Sequence, residues 1–372
     1  MNYAGFLLRR ERLARNWSQE GLCSGICTVS YLSKIEQGKA RPSGEVLGLL
    51  MKKMDLPWYV EELESDKWLQ RCYDALLCHD PAFSRMVSSR EPERLLYSPY
   101  GADWLLLQQF AAPQRKPLEE ALEVCMDRRQ LALQRLLQNR YEEAMQLLPC
   151  AFCTCAAGSY AYETGDLTAA VEWMTQAYRQ AAEEGHPRIM LYCKAILGNC
   201  FSNRRDLAAM ERHYRVARNL ATALGDREIL ESIDYNIAAT RLEAGDYISA
   251  LTYFQSKPQP TRMDLHKLAI CFEKLGMVAQ AQETLDQAFS AASNHQMPEE
   301  LEEQMLTVVR LRLASSAYLK DAAYGRALLE CFRRCREELS SGYALFHLDW
   351  VLEWYEANRQ YKQAVQLMRE FS

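Results

Sequence analysis

The most specific chemistry in this chain sits on one short stretch. Residues 18–42 read SQEGLCSGICTVSYLSKIEQGKARP. Val29, Ser30, Ser33 and Lys34 fall on one face of a predicted helix, together with Gln37. Small, hydroxyl and basic side chains can enter the major groove of a duplex. Lys34 can donate to guanine, and Val29 can pack on a thymine methyl. Thr28 stands at the start of the same helix. Gln19, Lys39 and Arg41 flank it as candidates for phosphate contacts, which fix register rather than sequence. Tyr31 is placed by its spacing from Thr28 and Ile35 at the edge of the core. The same surface could instead meet only another protein.

No catalytic constellation stands beside it. The chain has no Gly-rich phosphate loop, no G-x-S-x-G and no H-E-x-x-H. Its histidines, at 79, 186, 213, 266, 295 and 347, are scattered singly. The pairs Glu119-Glu120, Glu183-Glu184 and Glu299-Glu300 read as solvated helix-surface charges. The expectation is a protein that is not an enzyme and needs no cofactor or metal. There are 13 cysteines, an odd number with no disulfide-like framework. Cys23, Cys27, Cys193, Cys200 and Cys271 fall where a helix buries a small apolar residue, as reduced thiols in a cytoplasm would. Cys150, Cys153 and Cys155 form a C-x2-C-x-C cluster. Packing is its default reading; a zinc or redox role stays open, although no second ligand pair at zinc spacing follows.

The groove-facing residues need elements to hold them. Ser18 is a good N-cap for a first short helix, opened by Gln19-Glu20 and faced inward by Leu22 and Cys23. Gly25-Ile26-Cys27 make a turn. Thr28 caps the second helix, Leu32 and Ile35 point into a core, and Gly38 ends it. Lys39 to Pro42 form a loop. Ser43 caps a further helix through Met54 with an inner stripe of Leu47, Leu50 and Met54. The N-terminal MNYAGFLLRRERLAR reads as an amphipathic helix with Phe6, Leu7 and Leu13 inward, not as a signal peptide. Trp58 to Leu63 close the small core.

The words SQEGL and YLSKIEQGKARPS resemble the helix-turn-helix of Xre/Cro-type repressors. The GIC turn before SYLSKIE is similar to the peptide-pheromone-responsive regulators of Gram-positive bacteria, the Rgg, PlcR and PrgX (RRNPP) group. The resemblance covers the head alone. It implies a DNA-binding head followed by a helical-repeat receptor.

Charge is unevenly spread. Residues 1–56 carry nine Lys/Arg against five Asp/Glu, leaving −9 for the rest of a chain whose net charge is −5. A basic head on an acidic body suits a head that meets phosphates. With 372 residues, 49% hydrophobic and 25% charged, the chain is globular and long enough for a head plus a larger body. No apolar run of about 18 residues occurs, so no membrane span is expected. The expected fold is all-α, divided as a helix-turn-helix domain at 1–64, a linker helix and irregular first layer at 65–117, and a repeat domain at 118–372. Helical pieces are read at 66–79 and 103–111.

In the third region a turn word recurs: NRYEEA (139–144), GDLTAA (165–170), RDLAAM (205–210), GDYISA (245–250), GMVAQA (276–281), AAYGRA (322–327) and RQYKQA (359–364). This resembles the tetratricopeptide repeat, in which small residues let paired helices press together. The spacing is irregular, so the units are degenerate. No unit buries its own apolar face, so neighbours must stack into a solenoid with a concave side.

In such repeats the first helix of each pair lines the hollow. That register puts Asn199 and Asn203 inside, then Tyr235 and Asn236, then His266 and Lys267. Arg312 and Ser316 fall later, and Arg129 and Gln130 earlier. Tyr162 and Phe201 offer apolar contact. The resemblance to peptide-gripping repeats implies that asparagine amides bond a ligand backbone and that Lys or Arg takes a carboxylate. The alternative is that these asparagines only cap or solvate helices.

These expectations describe a cytoplasmic transcription regulator. It would bind a palindromic operator in double-stranded DNA as a homodimer and sense a short signalling peptide. Alternatives are repeats that serve only as a docking or dimerisation scaffold, and a thiol or metal sensor at Cys150, Cys153 and Cys155.

Overall fold

In the computed structural model, residues 3–59, 63–89, 91–293 and 297–371 are described. Every element among them is helical. Residues 60–62, within the stretch expected to close the head, and His295 lie outside the described residues.

The head is four helices, α1 (Tyr3–Ala14), α2 (Gln19–Cys23), α3 (Val29–Glu36) and α4 (Gly44–Lys53). Three start on hydroxyl caps: Ser18 accepts from Gly21 N, Thr28 from Tyr31 N and Ser43 from Val46 N. Gly25 takes a left-handed φ of 79° between α2 and α3, where a side chain would be strained. Leu7, Leu8, Leu22, Leu32, Ile35 and Leu50 are wholly buried in one core. Each such side chain contributes about 1.5–3 kcal/mol. Leu13, expected inward, is 54% exposed. It sits in the last turn of α1, and Arg12 is the residue that turns in instead.

Four helices follow: α5 (Leu63–Leu77), α6 (Phe83–Ser88), α7 (Pro92–Leu96) and α8 (Gly101–Ala111). Seven pairs come next. They are α9 (Arg128–Leu137) with α10 (Tyr141–Leu147), α11 (Ala151–Glu163) with α12 (Leu167–Glu184), and α13 (Pro187–Asn203) with α14 (Leu207–Leu224). Then come α15 (Arg227–Glu243) with α16 (Tyr247–Gln255), and α17 (Arg262–Lys274) with α18 (Val278–Ser290). The last two are α19 (Glu299–Ala314) with α20 (Ala322–Glu338), and α21 (Ser341–Ala357) with α22 (Tyr361–Glu370). Contacts divide the chain into two compact units, Met1–Ala157 with Gln176–Met190, and Gly158–Thr175 with Leu191–Ser372.

The turn words set these pairs. In six of the seven the first residue is left-handed: Asn139, Gly165, Arg205, Gly245, Gly276 and Arg359. The second helix begins two residues later, and its fourth residue is buried: Ala144, Ala170, Met210, Ala250, Ala281 and Ala364. Asp166, Asp206 and Asp246 supply the caps, each accepting a backbone N–H three residues on. The seventh word, AAYGRA, is read two residues late. Helix α20 already begins at Ala322, on the cap of Asp321. The small buried residue is therefore Gly325, which lies against the Trp354 ring, while Ala327 is only half-buried. Lys320, at the position where the other words have a left-handed residue, ends a short 3-10 turn (Tyr318–Lys320) instead, so the word lost its usual marker.

Glu184 also departs from expectation. Its carboxylate is not simply solvated; its two oxygens accept the Ala151 N–H at 3.0 and 3.2 Å, at the start of α11.

Candidate functional site

Two sites emerge, one in each unit. In the head, α3 presents Thr28, Val29, Ser30 and Lys34 to solvent, with Lys39 and Arg41 exposed on the loop after it. Ser33 is half-buried, and its hydroxyl accepts from the Gln37 amide at 3.0 Å. Tyr31 is half-buried and donates to the Arg41 carbonyl at 3.3 Å.

Gln19 stands differently from its expected role as a phosphate contact. Its amide donates to Glu36 at 2.8 Å, which makes it a strut inside the head. Glu36 is also held by Arg12 through two bonds of 2.6 and 2.8 Å, and Arg12 donates a third to the Trp17 carbonyl at 2.7 Å. This buried bidentate pair ties α1 to α3 and so fixes the pose of the exposed face. Sequence reasoning missed it. The only signal was an arginine and a glutamate at positions where the helical stripes wanted apolar residues.

In the second unit a cavity of about 110 Å³ is lined by Tyr162 of α11, Asn199, Ser202 and Asn203 of α13, and Tyr235, Asn236, Thr240 and Glu243 of α15. Lys267 of α17 and Gly342, Tyr343 and Phe346 of α21 complete most of the wall. These are first helices of their pairs; Tyr214 of α14 joins them from a second helix. The volume is a little below the ~150 Å³ of an engineered cavity that accepts benzene. It suits one side chain or one terminal group.

The polar wall is a network. Asn199 Oδ1 accepts from Tyr214 at 2.6 Å and from the Asn236 amide at 3.2 Å. Thr240 donates to the Asn236 carbonyl at 2.7 Å and bonds Ser202. Burial pushes the Tyr162 hydroxyl up to about 12, so it stays a protonated donor.

Lys267 and Glu243 bring opposite charge to this cavity. Lys267 is 6% exposed, and its ammonium lies 2.8 Å from the centre of the Phe346 ring. No carboxylate pairs with it at bonding distance among the described residues. Burial pushes its pKa down to about 7, and the Glu243 carboxylate works against that shift. Burial raises Glu243, which Lys267 opposes. A cation and an acid thus face one small space without closing into an ion pair.

Of the residues expected to line a hollow, Tyr162, Asn199, Asn203, Tyr235, Asn236 and Lys267 share this cavity. Arg129, His266 and Arg312 do not line it. Arg129 belongs to the first unit, where its guanidinium lies 3.6 Å from the Tyr73 ring centre and donates to Gln70. Its neighbour Gln130 caps α9 and donates to Asp103 at 2.7 Å. His266 is wholly buried beside Phe346, and burial pushes it well below the usual histidine range. Arg312 is buried in an ion pair with Glu273 at 2.8 Å, under Trp350 and Tyr318. His266 and Arg312 turned inward as expected, but met packed protein rather than open space. Phe201 likewise stacks on His213 at 5.1 Å, and Ser316 is exposed beyond the end of α19. Glu243, Tyr343 and Phe346 were not foreseen.

Residues 8–59 match the helix-turn-helix family model, and this segment is a helix-turn-helix domain. No curated protein matches the chain. Among solved structures it is similar to a Rap protein complexed with competence and sporulation factor, at 14% identity over 83% of this chain and 96% of that one, with a TM-score of 0.56. It also matches Bacillus thuringiensis PlcR in complex with the peptide PapR7 and DNA, at 14% identity over 76% of this chain and 99% of that one, with a TM-score of 0.31. The first likeness is one of fold: a body of helical repeats. No helix among the described residues is long and apolar enough to cross a membrane.

Proposed function

We propose that the chain is a cytoplasmic transcription regulator whose head binds a palindromic DNA operator as a homodimer and whose repeats sense a short signalling peptide. The domain division read from the sequence, at 1–64, 65–117 and 118–372, is the functional division under this reading. Val29, Ser30, Ser33 and Lys34 read base edges. Thr28, Lys39 and Arg41 position the backbone, and Gln19 acts through Glu36. One small head gives little contact area, which is why a two-fold dimer is part of the reading.

The observation that carries peptide sensing is the cavity. Asparagine amides from two successive first helices meet there, beside an ammonium and a carboxylate that do not pair with each other. The Asn199 NH2 can donate to a peptide C=O and the Asn236 side-chain oxygen can accept from a peptide N–H, with the Asn203 amide beside them on the same wall. Lys267 suits a carboxylate. At about 110 Å³ the cavity takes one end or one side chain of the peptide, with the remainder outside it.

The test is selection from a displayed library of random short peptides against the wild-type chain and the Asn199→Ala/Asn236→Ala variant. Enriched peptides that bind the wild type at least about tenfold more tightly than the variant support the reading. Equal affinity for a folded variant removes the cavity as the binding site. The scaffold alternative predicts no enrichment at all.

A further inference from the structure

A pair of cysteines in the first unit has no part in either site. Cys150 and Cys153 place their sulfurs 3.8 Å apart, within reach of a thiol hydrogen bond. Cys150 stands just before α11, and its carbonyl accepts the Thr154 N–H at 3.2 Å. It is half-buried, while Cys153 lies one turn on and is fully buried beneath it. The arrangement is a C-x-x-C at a helix start, with one thiol half-buried and its partner fully sheltered.

We propose that Cys150 and Cys153 are a dithiol modification site that a hydroperoxide converts to an intramolecular disulfide. The Cys150 thiolate attacks a peroxide oxygen. A sulfur–oxygen bond forms, the O–O bond breaks, and the departing hydroxide takes a proton to become water. The Cys153 sulfur then attacks the Cys150 sulfur. The S–S bond forms, the S–O bond breaks, and the second hydroxide leaves as water with the Cys153 proton. Two thiols lose two electrons, which hydrogen peroxide accepts in becoming two waters. The sulfurs must close by about 1.8 Å to reach disulfide length.

The other half-buried cysteines act as internal contrasts. Burial pushes up the thiols of Cys27 and Cys78, and that of Cys125 to about 11. Cys150 moves the opposite way: the Cys153 thiol bonded to its sulfur holds it below the ordinary thiol range, against burial and the Glu184 carboxylate. The thiolate is the attacking form, so Cys150 is the reactive member and Cys153 the resolving one. Glu184 holds the Ala151 N–H and lies 3.5 Å from His186, whose other nitrogen is 3.3 Å from Cys78. Among the described residues no group of three ligands is arranged to hold a metal ion.

The test treats the reduced full-length chain with hydrogen peroxide, blocks remaining thiols, and follows each cysteine by mass spectrometry. The peptide carrying Cys150 and Cys153 is expected to lose two hydrogens at least about tenfold faster than Cys27 or Cys125 is oxidised. Cys155→Ala should leave that product unchanged. Cys153→Ser should stop at a sulfenic acid on Cys150 that dimedone traps, and Cys150→Ser should abolish the reaction. Circular dichroism of each variant establishes that it is folded. Oxidation of Cys27 or Cys125 first, a bridge to Cys155, or a zinc ion in the purified protein that is lost in Cys150→Ser would each overturn the assignment.

Discussion

The Asn236 side-chain amide donates to Asn199 Oδ1 across 3.2 Å, joining α15 to α13 from inside the cavity. Tyr214 donates to the same oxygen at 2.6 Å. That oxygen is therefore fully used by the protein itself. The network holds both asparagines in fixed rotamers before anything binds, which lowers the ordering cost of a ligand. Opposite this neutral network stand the two charges, Lys267 and Glu243.

Lys267 gives a pH signature. Its pKa is pushed down to about 7 by burial, whereas an unfolded lysine titrates near 10.4. Between those values the unfolded chain binds a proton that the folded chain has released, so this group makes stability rise with pH across the window. Below it the fold carries the full cost of a buried ammonium. Lys267→Met should therefore be more stable than wild type near pH 6 by several kcal/mol, with the gain shrinking towards pH 10. Urea titrations across that range measure it. A difference that does not change with pH would show that Lys267 is not the titrating group.

The head has its own dependence on a buried pair. Glu36→Ala leaves the Arg12 guanidinium without its main partner and should cost about 3–5 kcal/mol. The double change Arg12→Met/Glu36→Leu removes both charges and should recover most of that loss. Thermal melts of the full chain, read at the head by limited proteolysis, separate the two. Equal destabilisation by the single and double variants would mean that packing, not charge pairing, holds α1 to α3.

Two glycines should respond in opposite senses to the same methyl group. Gly198 on α13 lies against the Tyr214 ring, where an added carbon has no room. Gly198→Ala should cost about 1–3 kcal/mol and shift the Tyr214–Asn199 bond. Gly48 on α4 faces open space, and a methyl group added there would meet no atom within 4 Å. Gly48→Ala should stabilise by about 0.5–1 kcal/mol, because it gains helix propensity at no steric cost. Denaturation midpoints of the two variants check both signs.

Much of the fold was legible because its signals are local. A left-handed residue and a buried fourth helical residue lie within six positions, with an aspartate cap between them in three of the words, so the turn words located six second helices in register. The seventh slipped because Lys320, where the other words have their left-handed residue, is not left-handed. The head was legible for the same reason, through Ser18, Thr28 and Ser43. The cavity was only partly so. Periodicity tells which residues face the neighbouring helices, but not whether space remains there. His266 and Arg312 face inward and meet Phe346 and Glu273 instead of a hollow. Tyr343 and Phe346 come from α21, far along the chain from the asparagines they join, and no local pattern announces that meeting.

The most direct measurement couples the two sites. A duplex selected by the wild-type chain from a random-sequence pool is titrated by fluorescence anisotropy, with and without a peptide enriched from the displayed library. Peptide is expected to change duplex affinity by about fivefold or more; Asn199→Ala/Asn236→Ala should remove this response while still binding the duplex, and Lys34→Ala should weaken duplex binding without losing the peptide. Duplex affinity that ignores the peptide in the wild type, or a response that survives intact in the asparagine variant, would contradict this coupling.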